Sequence, residues 1–371
     1  MVKDVNFLVE DLVAKLKRRQ ITGSYTIALE TAKLLRQIIS VTRWSTAGAL
    51  IDRIKQEGCR LVAAQPKDVV VANIVRRVLH IIREVYTENR DAVDEDDGTI
   101  LAAAPVAPQA LLQPQQPSFS IHSSMFPLLG DHADLPADYT RPVHNLKSEI
   151  IQEIQEYIEE LENMYSNVSS QAMDHIHSNE VIMTCGYSKT VESFLKFAAK
   201  KRKFKVIVAE CAPTFQGHQT ALALTAAGID TTVIPDASVF AMMARVNKVI
   251  LGTSAILANG GLIALSGTQT MVEAAKHHSI PVIVCAGLFK LSPVFPFDEE
   301  SLSTEVSPDS VLDFTKGHFI SEVEVINPFS SYVDPSFIDL FITNLGGHPP
   351  SYLYRLLNEN YDAEDTYLLK S

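Results

Sequence analysis

Between residues 179 and 293 the chain alternates short apolar runs with stretches of helical periodicity, and this alternation restricts the possible folds more than any other feature. The runs are rich in β-branched residues and show no polar alternation, which is typical of strands covered on both faces. Helices between such strands imply right-handed crossovers and a parallel, doubly wound sheet, in which ligands or partners meet the crevice beyond the carboxyl ends of the strands. The predicted strands are 181–184, 206–209, 231–234, 248–251 and 281–285, and the predicted helices are 188–201, one ending at 227, 236–246 and 270–278.

Residues 1–90 are predicted to form an all-helical domain, because apolar side chains recur along them at helical spacing. Most basic side chains of the last helix in this region lie off its apolar stripe, which predicts a solvated face or, as the alternative, a face toward a partner. These side chains are Arg76, Arg77, His80 and Arg83. The predicted helices are 6–19, 24–41, 45–58 and 67–86, with Ser24 and Ser45 as N-caps and Gly58 as the end of the third.

Residues 91–140 are predicted to be a flexible insertion, because an acidic run at 94–97 is followed by Ala, Pro and Gln in low complexity. Such a composition buries too little apolar surface to offset its ordering entropy. Residues 141–178 are predicted to form a connecting helix that leads into a sheet domain at 179–371. The end of this domain is predicted to hold a strand at 323–326, a short element at 337–343 and a helix at 351–360.

The 371 residues carry a formal net charge of −12, which argues against binding to a nucleic-acid backbone as the main activity. The segment 1–19 is charged throughout, and the chain holds no apolar run long enough for a membrane span, so neither a signal peptide nor a span is predicted. The four cysteines form no CxxC pair. This usage fits a reducing compartment and predicts the cytosol.

Three cysteines fall at or just beyond the carboxyl ends of predicted strands; they are Cys185, Cys211 and Cys285. At such positions they could be a nucleophile with its neighbours, or ligands of a soft metal. Because no His-x-Glu or Cys-x-x-Cys pattern accompanies them, we favour small buried hydrophobes and predict no metal. The pairs His175/His177 and His277/His278 are not spaced as a convincing ligand set.

No glycine-rich phosphate motif occurs, since both GxGxxG and GxxxxGK[ST] are absent, and no cofactor is predicted. The segment 252–261 ends in Asn-Gly-Gly and could hold an anion on its amides, although a tight connection alone explains the glycines. The basic run 200–205 joins a helix end to a strand start. A solvated face is favoured there over a nucleic-acid patch.

Longer motifs carry a resemblance to one family. The segments 182–184, 209–213, 216–218, 228–232, 249–253 and 258–261 occur in the order expected for it. Together they resemble the Rossmann-like domain that two groups share: isomerases of methylthioribose 1-phosphate or ribose 1,5-bisphosphate, and the alpha, beta and delta regulatory subunits of eukaryotic translation initiation factor 2B. The helical N-terminal region fits both groups. The segments most similar to the beta group are 36–45, 63–66, 175–184, 245–249, 275–279, 289–293 and 350–356.

The resemblance also implies that isomerase chemistry is lost. The catalytic cysteine of the isomerases falls on Gly186, while Cys185 lies one residue early. Their proton-transferring aspartate falls on Ser254, and the arginine after it falls on Ala255. A serine does not act as a general base at neutral pH without activation. The resemblance therefore implies a non-enzymatic protein on an isomerase-like fold.

As a relative of these regulatory subunits, the chain is expected to scaffold the exchange factor for initiation factor 2. The resemblance implies pairing with the delta subunit, a two-fold decamer that also holds the alpha, gamma and epsilon subunits, and sensing of the phosphorylated alpha subunit of factor 2 under stress. Direct nucleic-acid or membrane contacts are not expected. The alternatives are a residual isomerase and a module that binds a sugar phosphate or nucleotide in a vestigial crevice.

Two sets of residues follow as predicted sites. The first is a subunit or client interface, for which core packing is the alternative at two positions, Ile207 and Thr232. It comprises Glu149, Gln152, Glu156, His177, Asn179, Lys205, Ile207 and Thr232. The second is the vestigial crevice, made of Cys185, Gly186, His218, Ser254 and Asn259.

Overall fold

The computed structural model describes residues 5–98, 139–141, 145–298, 302–315, 317, 322–366 and 368. The helices before the sheet are α1 (Val5–Lys17), α2 (Ser24–Val41), α3 (Ala47–Ala64), α4 (Val69–Gly98), α5 (Leu146–Ser170) and α6 (Ala172–His175). Helix α5 packs against α2 and α4, and also against α7 (Lys189–Ala199) of the sheet region. The helix that was predicted as a connection is therefore also a member of the helical bundle.

Several helix boundaries differ from the prediction. Helix α4 continues through Gly98, so the predicted start of the insertion at Asp91 is too early in the sequence. The rest of that predicted insertion, 99–138, lies outside the described residues. The predicted N-caps are each one residue away from those observed, which are Gly23 for α2 and Thr46 for α3.

Gly58 was predicted to end the third helix, and this prediction is wrong. Helix α3 runs past it to Ala64. A Cβ atom at Gly58 would lie 2.5 Å from Cγ1 of Val75 on α4. The glycine therefore allows two helix backbones to approach closely and does not act as a C-cap.

The sheet region contains both parallel and antiparallel strands. The described strands are β1 (Val181–Cys185), β2 (Lys205–Ala209), β3 (Asp230–Ile234), β4 (Lys248–Gly252), β5 (Ala255–Ile256), β6 (Leu262–Leu265), β7 (Val282–Cys285), β8 (Thr304–Glu305), β9 (Pro328–Val333), β10 (Leu340–Ile342) and β11 (Gly347–His348). The main sheet has the order β11-β10-β7-β4-β1-β2-β3 and is parallel except for the β10–β11 pair. Its crossovers carry α7, α8 (Gln216–Ala226), α9 (Val239–Met243) and α10 (Thr268–His277). These observations confirm the predicted doubly wound parallel sheet.

A second, antiparallel sheet was not predicted. It has the order β5-β6-β9-β8 and follows directly from the end of β4. The sequence between Gly252 and Gly261 suggested only a tight turn, yet it contains β5. The strand predicted at 323–326 is wrong, because β9 begins only at Pro328, which pairs with β8, and its pairing with β6 begins at Ser330. Helix α11 (Leu353–Asn360) then follows close to its predicted position.

The hydrophobic core crosses the predicted boundary at residue 178. One cluster joins the side chains of α1 to α5 with α7 and with the strand residues Ile182, Val206 and Ile250. A second cluster covers the opposite face of the sheet and includes Met183 and Val249. Neighbouring residues of β1 and β4 thus point into different clusters, as strand geometry requires. The helical bundle and the sheet share one continuous core.

Arg76 and Arg83 are buried, so the solvated face predicted for this side of α4 is wrong. The side chain of Arg83 is 7% exposed and donates from Nη2 to Oδ1 of Asp365, 3.1 Å away, and from Nη1 to Oδ2 of Asp362, 2.9 Å away. Arg76 donates to the main-chain oxygens of Asp365 and Thr366. The basic stripe therefore binds the chain's own C-terminal segment, which lies in sequence some 280 residues away.

Asp365 is the centre of this contact. Its side chain is fully buried and also forms an ion pair with Lys55 on α3, with 3.0 Å between Nζ of Lys55 and Oδ1 of Asp365. Asp362 adds a contact of 3.1 Å to Nδ1 of His80. Burial alone would oppose ionisation of Asp362, but the hydrogen bonds from His80 and Arg83 lower its pKa overall. The segment 362–366, which we call the C-terminal anchor, is held by charges from two helices.

The substitution Asp365→Asn should destabilise the protein strongly, because it leaves the buried Arg83 guanidinium without its full countercharge. Breaking one partner of a buried ion pair costs about 3–5 kcal/mol. Urea unfolding monitored by circular dichroism measures the change. The matched control is Glu364→Gln, since Glu364 also contacts Arg83 but its side chain is 63% exposed, and such surface pairs contribute about 0–1 kcal/mol. Equal effects of the two substitutions would contradict the assigned role of the anchor.

Candidate functional site

The switch point of the main sheet lies between β1 and β4, where the strand order reverses. Doubly wound sheets bind ligands at this place, beyond the carboxyl ends of the strands. The predicted crevice residues Cys185 and Gly186 close β1 here, and Ser254 follows β4. These three residues therefore lie at the switch point, and the crevice itself stays a prediction.

Gly186 occupies a position that has no room for a side chain. Its φ is +65°, and a Cβ atom would lie 2.7 Å from Cδ2 of Leu265 on β6. Its main-chain oxygen accepts a hydrogen bond of 2.6 Å from Oγ1 of Thr220 on α8. The second sheet thus fills the space beside the position that corresponds, by the resemblance, to the catalytic cysteine of the isomerases.

The neighbouring strand end is closed in a similar way. A Cβ atom at Gly252, the last residue of β4, would lie 2.4 Å from Oγ of Ser188. Ser188 caps α7 by accepting a hydrogen bond from the main-chain nitrogen of Val191. The loop after β1 therefore packs directly onto the end of β4. Both strand ends that flank the switch point are covered by the chain itself.

Two thiols meet beside Gly186. Cys211 lies in the loop after β2, with φ +57°, and its Sγ accepts a hydrogen bond of 3.0 Å from the main-chain nitrogen of Gly186. Cys211 neighbours Cys185 at this strand end, and this close approach of the two thiols lowers the pKa of the Cys185 thiol. The same contact, together with burial, raises the pKa of Cys211. Cys285 is buried elsewhere in the sheet, and burial raises the pKa of its thiol.

The remaining predicted crevice residues have other partners. Asn259 donates from Nδ2 to the hydroxyl of Tyr332, 2.7 Å away, and accepts from the main-chain nitrogen of Gly261, so its amide orders the turn between β5 and β6. His218 stacks on Phe215 with a ring-centroid distance of 5.3 Å. Ser254 is exposed and forms a main-chain bond with Ile263. Among the described residues, no hydrogen bond or ion pair joins these three to the two thiols.

A buried lysine at this end of the sheet was not singled out as a site residue from the sequence. Nζ of Lys290 donates to the main-chain oxygen of Thr253, just beyond β4, at 2.8 Å. Burial lowers the pKa of Lys290 to about 8, against the opposing effect of Asp68. Asp68 comes from the loop before α4, so the helical region supplies part of this environment. A sequence pattern could not show it, because Asp68 and Lys290 are distant in the chain.

The predicted interface residues of the sheet region lie on two neighbouring strands. In the register of β2 and β3, Ile207 pairs with Thr232, and Nζ of Lys205 lies 3.0 Å from Oδ2 of Asp230. Ile207 is 6% exposed and packs in the core, whereas Thr232 is exposed. The two residues therefore lie in different environments. Ile207 packs in the core, which was the alternative interpretation, and Thr232 lies at the surface.

Strand β3 was predicted to be covered on both faces, and this prediction is wrong. It is the outermost strand of the main sheet, and three of its residues, including Thr232, are exposed. Val233 is 43% exposed, and Leu222 on α8, a helix that packs against β3, is 73% exposed. An uncovered edge strand with apolar side chains is a ready site for association.

His177 and Asn179 lie just before β1. Nδ1 of His177 is 2.7 Å from Nη1 of Arg202, and the main-chain nitrogen of Asn179 donates to Lys203, 2.8 Å away. Asn179 adopts φ +67°, a conformation that asparagine tolerates better than most residues. The structure thus attaches both residues to the basic run 200–205.

The predicted acidic residues of α5 do not share one environment. Gln152 donates to Glu156, 3.1 Å away, and both are exposed. Glu149 is only partly exposed and accepts a hydrogen bond from Asn89 of α4, so it has a structural partner. Burial and then the neighbouring carboxylates raise the pKa of Glu153. Those neighbours are Glu156, Glu84 and Glu88, and with Gln152 and Glu153 they form what we call the acidic face of α4 and α5.

Within the described ranges, no group of three His, Cys, Asp or Glu side chains is arranged to hold a metal ion. No described helix is long and apolar enough to cross a membrane.

Taken together, the helical bundle, the doubly wound sheet and the side chains packed at the switch point define the class of fold. Comparison with known proteins gives the family. The model of the Initiation factor 2 subunit family matches residues 20–350, and the chain belongs to this family.

Individual relatives agree with this assignment. Translation initiation factor eIF2B subunit beta of Schizosaccharomyces pombe is 48% identical over 381 aligned positions, covering 97% of each chain. The subunit of the same name from Dictyostelium discoideum is 45% identical, covering 96% of this chain and 95% of that protein. The structure is similar to a chain of the tetrameric eIF2B-beta2-delta2 complex from C. thermophilum, with a TM-score of 0.69, 28% identity and coverage of 97% and 96%. These matches confirm the resemblance predicted from the motifs.

The isomerases are more distant relatives. Ribose 1,5-bisphosphate isomerase of Pyrococcus furiosus is 26% identical over 359 positions, covering 95% of this chain and 94% of that enzyme. The shared architecture therefore extends over both the helical region and the sheet. It does not by itself carry the enzyme's activity to this chain.

The substitution Gly186→Ala should destabilise the protein more than Gly228→Ala. Both glycines have positive φ, +65° and +80°, but nothing lies within 4 Å of a Cβ atom at Gly228, whereas Leu265 lies 2.7 Å from one at Gly186. The control therefore carries only the backbone cost, about 1 kcal/mol, and Gly186→Ala adds an overpacking cost of about 1–3 kcal/mol. Chemical denaturation measures both. If Leu265→Ala fails to relieve the extra cost in the double variant, the filled position has been misassigned.

Proposed function

We propose that this protein is a regulatory, non-catalytic subunit of the guanine-nucleotide exchange factor for translation initiation factor 2. The observation that carries the proposal is the near full-length similarity to eIF2B subunit beta, together with the match to a chain from a beta2-delta2 complex. By this proposal the chain pairs with a delta subunit, and assembles with alpha, gamma and epsilon subunits into a two-fold decamer in the cytosol.

The absence of catalysis is part of the proposal and is supported by packing. The position of the isomerases' cysteine is Gly186, where a side chain would meet Cδ2 of Leu265 at 2.7 Å. Ser254 replaces the aspartate and is bonded through its main chain to Ile263. An isomerase needs a nucleophile or base that reaches its substrate at the switch point. This chain has packed that place with its own second sheet.

We assign the delta contact to the β3 edge. Its outer side exposes Thr232 and Val233, and Leu222 adds an exposed apolar side chain from the adjacent helix. When a partner covers the apolar area of a free edge, the free energy of the complex falls by roughly 25 cal/mol for each Å² removed from water. The ion pair between Lys205 and Asp230 lies at the start of the same two strands and supplies a polar rim.

The acidic face of α4 and α5 is the surface we assign to the client, the alpha subunit of initiation factor 2. Burial raises the pKa of Glu153, and repulsion from the carboxylates of Glu156, Glu84 and Glu88 raises it further. A basic partner surface would remove this repulsion and would associate faster through electrostatic attraction. Binding by one form of the client, phosphorylated or not, would then bias the arrangement of the whole assembly.

Co-expression with the four other subunits, followed by mass determination of the purified complex, tests the scaffold proposal. Two copies of this chain in a decamer are the expected result. A free homodimer that does not associate with delta would overturn the proposal. Such a result would favour the alternative function, a small-molecule module, which a thermal-shift screen with sugar phosphates and nucleotides would then examine.

The double variant Thr232→Lys with Val233→Asp should prevent association with delta, because it places charges on an edge that a partner would bury. The matched control is Leu345→Asp, since Leu345 is 61% exposed and lies in the β10–β11 turn, at the opposite edge of the main sheet. Size-exclusion chromatography with light scattering reads out the complex, and thermal unfolding of the free chain checks the fold. Loss of delta binding by Leu345→Asp alone would place the contact on the other edge.

The double variant Gln152→Lys with Glu156→Lys, which adds positive charge to the acidic face, should weaken the response to the phosphorylated client while leaving the decamer intact. Exposed charges change association and its salt dependence more than folding. The control is Glu273→Lys on α10, an exposed glutamate that hydrogen bonds to Gln269 within its own helix. The measurement is nucleotide exchange on factor 2 with and without phosphorylated client, at two salt concentrations. Identical inhibition curves for all three proteins would remove the acidic face from the client site.

A further inference from the structure

The two thiols at the switch point are not used by the proposed function. Cys185 ends β1 and is partly exposed, whereas Cys211 is 5% exposed. Cys185 pairs in register with Ala209, so Cys211 lies just beyond the end of the neighbouring strand. The main-chain nitrogen of Gly186, the residue after Cys185, donates to the sulfur of Cys211 at 3.0 Å, so the two cysteines are neighbours at the end of β1.

We propose that Cys185 and Cys211 form an oxidisable pair, in which a peroxide oxidises Cys185 and Cys211 then closes a disulfide with it. The geometry supplies two features of such a site: a partly exposed cysteine, and a second thiol whose sulfur binds the amide next to it. A partner thiol next to the first product diverts it from further oxidation.

The groups around the pair have opposite effects on the pKa of the Cys185 thiol. The hydrogen bond from Cys211 stabilises a thiolate at Cys185, and Oγ1 of Thr268 lies 3.6 Å from its Sγ. The carboxylate of Asp236 opposes a negative charge on either sulfur. That carboxylate is itself held by the main-chain nitrogens of Cys211 and Ala212, at 2.9 and 2.7 Å. These two hydrogen bonds partly offset its charge and fix the loop that carries Cys211.

The chemistry balances with hydrogen peroxide as the oxidant. The Cys185 thiolate attacks one peroxide oxygen, the O–O bond breaks, and the leaving hydroxide takes up the proton released by the thiol to form water. The product is a sulfenic acid. The sulfur of Cys211 then attacks the sulfur of Cys185, the S–O bond breaks, and a second water leaves with the Cys211 proton. Two thiols lose two electrons in total, and the peroxide accepts them.

The other two cysteines differ from the pair in ways that predict selectivity. Cys285 is fully buried, and burial raises the pKa of its thiol, so little reactive thiolate is present. Cys59 donates its thiol hydrogen to the main-chain oxygen of Leu368, at 2.9 Å. In the described contacts, neither of them has a second cysteine beside it.

The experiment treats the full, folded chain with hydrogen peroxide, blocks the remaining thiols with an alkylating reagent under denaturing conditions, and identifies tryptic peptides by mass spectrometry. Cys185 and Cys211 fall in separate peptides, 148–189 and 206–245, each with one cysteine. The expected result is a cross-link between these two peptides that reduction removes, with Cys285 still fully alkylated. Absence of the cross-link, or oxidation of Cys285 at the same rate as Cys185, would overturn the proposal.

Variants assign the order of the two steps. In Cys211→Ser we expect no cross-link and a sulfenic acid at Cys185 that dimedone traps, while Cys185→Ser should lose both products. Cys59→Ser is the matched control and should form the cross-link as fast as the unaltered chain. Trapping of a sulfenic acid at Cys211 in Cys185→Ser, with none at Cys185 in Cys211→Ser, would contradict the assigned order. Thermal unfolding shows whether each variant is folded, and the measurement on the unaltered chain does not depend on them.

Discussion

The buried contact between Arg83 and Asp365 holds together parts of the chain that lie far apart in sequence. A guanidinium with 7% exposure needs a countercharge, and the C-terminal anchor supplies it through Asp362 and Asp365. Lys55 joins the same carboxylate from α3, so two helices of the bundle depend on it. Because the anchor follows α11 directly, the bundle is attached to both ends of the sheet region: through α5 before β1 and through the anchor after the last helix.

The second sheet packs beside the switch point of the main sheet. It begins immediately after β4 and returns Leu265 to the side of Gly186. Ser188 contacts the end of β4 from the other direction. Cys185 stays partly exposed between these contacts, while large exposed apolar side chains are found at the edge strand β3 and on the helix beside it.

The sequence predicted local periodicity well and long-range contacts poorly, for physical reasons. The central strands were recognisable because both faces are buried and no polar alternation is needed. Edge strand β3 has a similar β-branched run, so the sequence pattern did not predict that its side chains are exposed. Gly58 carried the signature of a helix end, but its reason is contact with Val75 on another helix. Arg76 and Arg83 looked like a solvated stripe, because their partners lie in a segment that no local window includes. The strand ends predicted that Cys185, Gly186 and Ser254 lie near the switch point, whereas Asn259 and His218 were assigned to the crevice by motif order and have other partners in the structure.

The C-terminal anchor also has a consequence for synthesis. During translation the N-terminal helices emerge first and begin to pack while the ribosome is still adding the sheet. Arg83 and Arg76 therefore lack their partners in the C-terminal anchor until residues 362–366 leave the exit tunnel. The bundle reaches its final state only after this segment has been added. A product that stopped before residue 362 would leave the Arg83 guanidinium without the two carboxylates that it binds in the folded structure.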